Sequence, residues 1–262
     1  MNKTIDLDAS YYQNHSEQQY ERAQELLNSL NIKPSASVLD IGCGHGNITA
    51  EISLKVPNGK IIGIDASHKM IRHAKEKFPN SQFPNLEFLE IKAEEMYFPE
   101  SSFDLIVCFS CLLWIREPKK ALELMCKSLK PGGILVILTY LKESSYVHFL
   151  EKTLEKFPSY KNLSAVHTML SMNEYKDILT SHQIALEDFI PRSRFTEYKN
   201  KEELKAYLKG WITCYVPLPE QLQDQFLDEA VENSLAENLN KNLNEEILLQ
   251  FQQLTIKARK HL

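Results

Sequence analysis

The chain of 262 residues has no apolar run near the roughly 20 residues that a bilayer-spanning helix needs, so no membrane span is expected. It lacks a basic excess. With 30 Lys and Arg against 35 Asp and Glu the net charge is −5. A broad nucleic-acid surface needs clustered cations and is not expected. The opening stretch, Met1–Ser10, is polar and acidic. It lacks the features of a signal or transit peptide, and a cytoplasmic location is the expectation. Cysteines are few and odd in number: Cys43, Cys108, Cys111, Cys126 and Cys214. They form no disulfide framework. Cys108-Phe-Ser-Cys111 has C-x-x-C spacing, but no second such pair or His pair accompanies it. Because it closes an apolar strand, ordinary buried thiols are expected rather than a redox or metal centre. His148, His167 and His182 show no metal-ligand spacing, so no metal is expected. Internal repeats and low-complexity segments are lacking, and nothing in the pattern sets the oligomeric state.

What is present is the composition of a folded protein, 43% apolar and 25% charged, long enough for one large α/β domain or one domain with a cap. Ser16-Glu-Gln-Gln19 reads as a capping box. Ala23, Leu26, Leu27 and Leu30 follow on one helical stripe. Short apolar runs then alternate with helical patterns, as a parallel sheet with crossover helices requires. The expected strands are Val38–Ile41, Lys60–Ile64, Leu86–Leu89, Phe103–Phe109 and Ile134–Thr139. Ser67 is placed to cap a helix with Met70, Ile71, Ala74 and Phe78 inward. Lys130-Pro-Gly-Gly133 reads as a tight turn. The last third differs. Ser144–Thr180 looks helical, and Pro191 divides a strand region into Ile184–Ile190 and Arg194–Tyr198. Lys201–Trp211 and Glu220–Asn238 read as a helical cap, while Ile247–Lys257 fits a strand or a helix.

The sharpest feature is Val38-Leu-Asp-Ile-Gly-Cys-Gly-His-Gly46: a strand, a loop carrying Gly42, Gly44 and Gly46, then a helix. Glycines let a ligand approach bare backbone, and the N–H groups opening the helix favour a carboxylate or phosphate. The corner beside the first strand is where such sheets leave a ligand crevice. Asn47 breaks the dinucleotide pattern G-x-G-x-x-G. Asp40 adds a negative charge that suits an ammonium better than a pyrophosphate. Both count against a nicotinamide oxidoreductase. Asp65, ending the second strand, is placed to accept two ribose hydroxyls, or to cap the helix that follows. Loop and carboxylate together point to a nucleoside-type ligand.

On these marks the chain resembles the class I S-adenosylmethionine-dependent methyltransferases. Further shared marks are Phe98-Pro-Glu-Ser-Ser-Phe-Asp-Leu-Ile-Val107 and Leu129-Lys-Pro-Gly-Gly133. The resemblance covers roughly residues 35–140. It implies a Rossmann-like sheet of seven strands, one antiparallel, with helices on both faces and a helical cap. It implies a single domain over residues 1–262: an N-terminal lid and helix to residue 34, a cofactor-binding core over 35–140, and the remaining sheet with a cap at about 200–240. The implied cofactor is S-adenosyl-L-methionine. Asp40 and the Gly42–Gly46 loop would hold its methionine end and Asp65 its ribose. Ala66 would also bind the cofactor, and Met70 would lie against the adenine, serving equally as helix core. Ala93 and Glu94 would meet the adenine edge, and Phe109 would line the site. Lys92 stands where many relatives carry Asp.

Amine methylases of this family place Asn or Asp and Pro-Pro-aromatic after the fourth strand. Phe109-Ser-Cys-Leu112 stands here instead, which counts against base and amide nitrogens. A carboxylate, with a pKa of about 4, needs no general base, in keeping with the lack of an evident catalytic dyad, and no catalytic residue is assigned. More loosely, the chain is similar to small-acid carboxyl methyltransferases of the trans-aconitate and juvenile-hormone-acid type. That comparison implies a small-molecule acceptor, an organic or fatty acid. Tyr12 and Gln13 would approach it, Trp114 would wall the pocket, and Trp211 and Arg194 are further candidates. Arg194, like Arg192, fits a surface ion pair as well, and His45 fits cofactor lining better than a base. A phenol, carbon or amine acceptor is the alternative, and a non-catalytic module with this fold is the remaining one. Tyr11–Ser16 is expected to fold over the cofactor on binding.

Overall fold

The computed structural model describes residues 17–161, 168–216, 218–237 and 246–262. Seven strands form one sheet: β1 Ser37–Ile41, β2 Lys60–Asp65, β3 Leu86–Glu90, β4 Phe103–Phe109, β5 Leu129–Tyr140, β6 Ile184–Tyr198 and β7 Ile247–Lys260. The order across the sheet is β3-β2-β1-β4-β5-β7-β6. β1 pairs in parallel with β2 on one side and β4 on the other, so the chain reverses its direction of growth at β1. That reversal opens a crevice beyond the carboxyl ends of β1 and β4. β7 runs the other way: Lys260 Nζ reaches the Leu129 carbonyl at 2.8 Å and the His261 N–H donates to Gln183. The mostly parallel seven-stranded sheet is the expected one.

The helices, in chain order, are α1 Glu17–Asn28, α2 Asn47–Lys55, α3 His68–Lys77, α4 Pro118–Ser128, α5 Ser145–Glu155, α6 Pro158–Lys161, α7 Met172–Ser181, α8 Lys201–Tyr215 and α9 Glu220–Glu237. Short 3₁₀ turns occupy Ala93–Glu95 and Leu112–Trp114. α3 shows why the sequence folds this way locally. Ser67 has extended backbone and accepts the Met70 N–H at 3.3 Å, a cap worth about 1 kcal/mol. Met70, Ile71 and Ala74 then fall on one face and are buried. The capping box expected at the head of α1 begins at Ser16, outside the described residues.

Three local expectations need correction. Lys130–Gly133 is not a tight turn between elements but an excursion within β5. Phe103 pairs with Leu129 and Leu105 with Ile134, so β5 spends five residues where β4 spends two, and Gly132 takes φ 75°. Pro191 does not break β6. That strand is the sheet's edge, where a missing N–H costs no ladder bond. Ile247–Lys257, left open between helix and strand, belongs to β7, whose burial alternates except at Gln253 and Leu254, both buried, and at the closing Arg259 and Lys260, both half-buried. Within Ser144–Thr180 the helical reading holds at α5, α6 and α7, while Thr168–Ser171 lie outside helices and residues 162–167 lie outside the described residues.

The chain divides into two compact units. Met1–Thr139, Met172–Ile190 and Thr255–Leu262 make the first. Its core gathers Leu27, Val38, Ile52, Val56, Ile61, Ile71, Phe88, Leu105, Val107 and Val136. Tyr140–Ser171 and Pro191–Leu254 make the second. There α5 packs on α9, with the Phe157 and Phe226 rings 5.0 Å apart and Asn233 donating to the buried Thr153 hydroxyl at 3.0 Å. α8 pairs with α9 through Lys201–Glu232 and Lys205–Asp228. Among the described residues, no helix is long and apolar enough to cross a membrane, and no three His, Cys, Asp or Glu side chains gather as a metal site.

Candidate cofactor-binding site

The loop between β1 and α2 builds the site. Its three glycines all have positive φ, at 73°, 53° and 84° for Gly42, Gly44 and Gly46. They serve different ends. A Cβ on Gly42 would sit 2.4 Å from Cys111 Sγ, and one on Gly46 would sit 2.6 Å from the Phe88 ring. Packing therefore demands glycine at both. A Cβ on Gly44 would meet nothing within 4 Å, because Gly44 faces a cavity.

That cavity, of about 430 Å³, lies at the carboxyl ends of β1, β2 and β4, within the range of about 300–1,000 Å³ usual for cofactor sites. Of the expected cofactor residues, Asp40, Gly42, Gly44, Asp65, Ala66, Met70, Ala93, Glu94 and Phe109 line it. Gly46 does not, and its place is in packing against Phe88. Trp114 lines the cavity as well, while Arg194 is an exposed residue of β6 and not part of the lining. Tyr12, Gln13 and the Tyr11–Ser16 segment lie outside the described residues, as does the Trp211 side chain.

Two carboxylates dominate the floor. Asp40 is 3% exposed and accepts the Thr49 hydroxyl at 2.7 Å. Burial pushes its carboxyl up to about 7; the Thr49 bond opposes this and the nearby Asp65 adds to it. Asp65 accepts the Ser67 N–H on one oxygen at 2.8 Å and the Gly44 N–H on the other at 3.0 Å. Burial raises its pKa, opposed by those backbone bonds. A carboxylate offers about four lone-pair sites, so it is aimed by these bonds and by one from the Ala66 N–H and is still able to accept. Helix capping, the alternative role for Asp65, falls to Ser67. The Cys43 thiol is pushed up by burial and then by the charges of Asp65 and Asp40. His45 is shifted down by burial, then by Lys77 and His73.

Several lining residues carried no recognisable sequence mark. Tyr20 and Ala23 of α1 form part of the wall. Tyr20 and Gln24 both bond the Glu51 carboxylate of α2, and burial followed by the Glu51 bond raises the Tyr20 phenol to about 12. Ser110 and Cys111 follow β4, and Arg116 stands on the rim. Lys92 pairs with Glu95 at 2.8 Å. Cys108 and Cys111 are free thiols. Cys108 is buried and Cys111 partly so; the hydrogen bond with Cys108 and then burial push the Cys111 thiol well up, which keeps it protonated and unreactive.

S-adenosylmethionine fits these residues. Its ammonium would meet a buried acid that otherwise takes up a proton, and its amino-acid end would lie where Gly44 leaves open space.

Comparison with known proteins agrees. Residues 32–208 match the methyltransferase domain family. A malonyl-[acyl-carrier protein] O-methyltransferase of Paenibacillus is 29% identical over 181 residues, 65% of each chain. The ubiquinone/menaquinone biosynthesis C-methyltransferase UbiE of Vibrio vulnificus is 36% identical over 112 residues, 42% of this chain and 43% of its own. The matched stretches thus span about two fifths to two thirds of these relatives. The structure of YcgJ from Bacillus subtilis superposes with a TM-score of 0.67 at 20% identity, covering 93% of this chain and 99% of that one, a likeness of fold. With the family matching more than half its length, the chain belongs to the methyltransferase domain family and has the class I fold that uses S-adenosyl-L-methionine.

Proposed function

We propose that the protein moves the methyl group of S-adenosylmethionine to a carboxylate oxygen of a small organic or fatty acid. The observation that carries the donor half of this reading is the cavity floor: two acids, Asp40 and Asp65, with no buried cation among the described lining residues. Such a floor favours a cationic ligand. In this reading Asp40 takes the ammonium, Asp65 both ribose hydroxyls, and Ala93 with Glu94 the adenine edge. Met70 and Ala66 supply apolar contact, and Phe109 lines the path to the acceptor.

When bound, S-adenosylmethionine supplies an electrophilic methyl group. The protein's part is to hold the acceptor in line at about 3–3.5 Å and exclude water. Trp114 supplies an apolar wall. Tyr12 and Gln13 complete the acceptor side in this reading. An ionised carboxylate needs no proton removed, which matches a lining whose thiols are held protonated. The similarity to a malonyl O-methyltransferase supports an acid acceptor. The similarity to UbiE favours a second reading, methylation at carbon.

The test is incubation with methyl-labelled S-adenosylmethionine and a panel of small organic and fatty acids, with products identified by mass. A labelled product that loses its methyl group in mild alkali is the expected ester. A base-stable product would favour the carbon reading and overturn the carboxylate one.

A further inference from the structure

β6 is the outermost strand of the sheet, and no further strand lies beside it among the described residues. It runs for 15 residues, against about 5–6 in an ordinary strand. A long unpaired edge is a template for pairing, and proteins usually keep apolar side chains off it. Here Leu186, Ile190 and Phe195 are exposed at 36%, 38% and 53%.

The two faces of the strand differ in how their charges are satisfied. On one face Glu187 binds Lys257 at 3.1 Å and Arg259 at 2.5 Å, and Phe189 packs beneath the Lys176 ammonium. The other face presents Leu186, Asp188, Ile190, Arg192 and Arg194 by alternation. Asp188, Arg192 and Arg194 are exposed, and their side chains make no ion pair or hydrogen bond among the described residues. Asp188 and Arg192 stand about 13 Å apart along the strand, four steps of about 3.3 Å, too far to pair with each other.

Two copies of β6 laid antiparallel about a two-fold axis at Ile190 remove that distance. Asp188 of each copy then lies opposite Arg192 of the other, with Cβ atoms about 5 Å apart. In the same register Ile190 meets Ile190, Phe195 covers Ala185, and Leu186 lies along the stem of Arg194. Pro191 falls opposite Phe189, so at most one N–H per copy is missing from the new ladder. One register thus pairs the unsatisfied charges and covers all three exposed apolar side chains.

We infer that β6 is the interface of a symmetric homodimer, joining two sheets edge to edge through antiparallel strands centred on Ile190. The surface is self-complementary, as a two-fold interface requires. The inference is independent of the donor and acceptor readings, since none of these residues lines the cofactor cavity.

Sedimentation of the full chain from about 1 µM to about 100 µM tests it. The wild type should pass from monomer to dimer over that range. Asp188→Arg and Arg192→Asp each set like charges opposite one another and should weaken association about tenfold or more. The double variant Asp188→Arg/Arg192→Asp exchanges the signs and should dimerise as the wild type does, a rescue that a folding defect cannot produce. A dimer indifferent to both single changes, or a double variant that stays monomeric, would overturn the inference. So would a wild type that is monomeric throughout, which would point to an unlike partner for this edge.

Discussion

In the proposed reading, Asp40 is the residue on which cofactor capture turns. Among the described residues its carboxylate accepts the Thr49 hydroxyl at 2.7 Å, from a residue of α2 that is fully buried and is not part of the cavity lining. With the carboxyl raised to about 7, affinity for a cationic donor should climb as pH rises through neutrality and Asp40 ionises. Thr49→Val removes the bond that favours the charged form. It should move the midpoint of S-adenosylhomocysteine affinity to higher pH, while Thr49→Ser should restore it. Calorimetric titrations from pH 6 to pH 9 would check this, and an unmoved midpoint in the valine variant would refute it. Asp40 and Asp65 were legible in the sequence because each ends a strand beside the glycine loop. Thr49 was not, since its place below Asp40 depends on one turn of helix and a packing depth that no spacing rule encodes. Ser110 and Tyr20 escaped for a related reason: a positive φ and a wall contributed by another helix are tertiary facts.

At the scale of elements, the β1–α2 loop divides its glycines between packing and binding. Gly46→Ala forces a methyl to 2.6 Å from the Phe88 ring at φ 84°. It should cost about 1–3 kcal/mol in overpacking, read as a lower urea midpoint. Gly44→Ala meets no atom and carries about 1 kcal/mol of left-handed strain. It should leave the fold largely intact and abolish detectable S-adenosylhomocysteine binding, because its methyl occupies the ligand's place. Equal affinity in Gly44→Ala would contradict the site. α1 is tied to α2 by Glu51, which accepts from Tyr20 and Gln24. Glu51→Ala should return the Tyr20 phenol from about 12 towards 10, visible in an ultraviolet titration. Element identity was readable wherever periodicity was strong, as in the five parallel strands and α3. It failed at Lys130–Gly133 and Pro191, where proline and glycine normally signal a turn or a break. A bulge and an edge position accommodate them here, and both depend on which strand lies alongside.

For the whole molecule, the site's electrostatics set a pH dependence of stability. The unfolded Asp40 carboxyl ionises near 4, the folded one near 7. Between those values the folded protein keeps a proton that the unfolded chain has lost, so stability falls as pH rises through the window and levels off above it. Asp65, also raised, contributes with the same sign. Urea unfolding of the unliganded protein should show this decline. Asp40→Asn should flatten it, and an undiminished slope in that variant would count against Asp40 as its source. A fold in which two acids are kept buried with no counter-charge beside them among the described residues is less stable empty than it need be, and a bound cation offsets that cost.

The most direct measurement is a crystal structure with S-adenosylhomocysteine. It should show the ribose diol on the Asp65 carboxylate and the amino-acid tail along Gly42–Gly44 with its ammonium towards Asp40. A ligand seated elsewhere, or an Asp65 carboxylate that touches no sugar hydroxyl, would contradict the account.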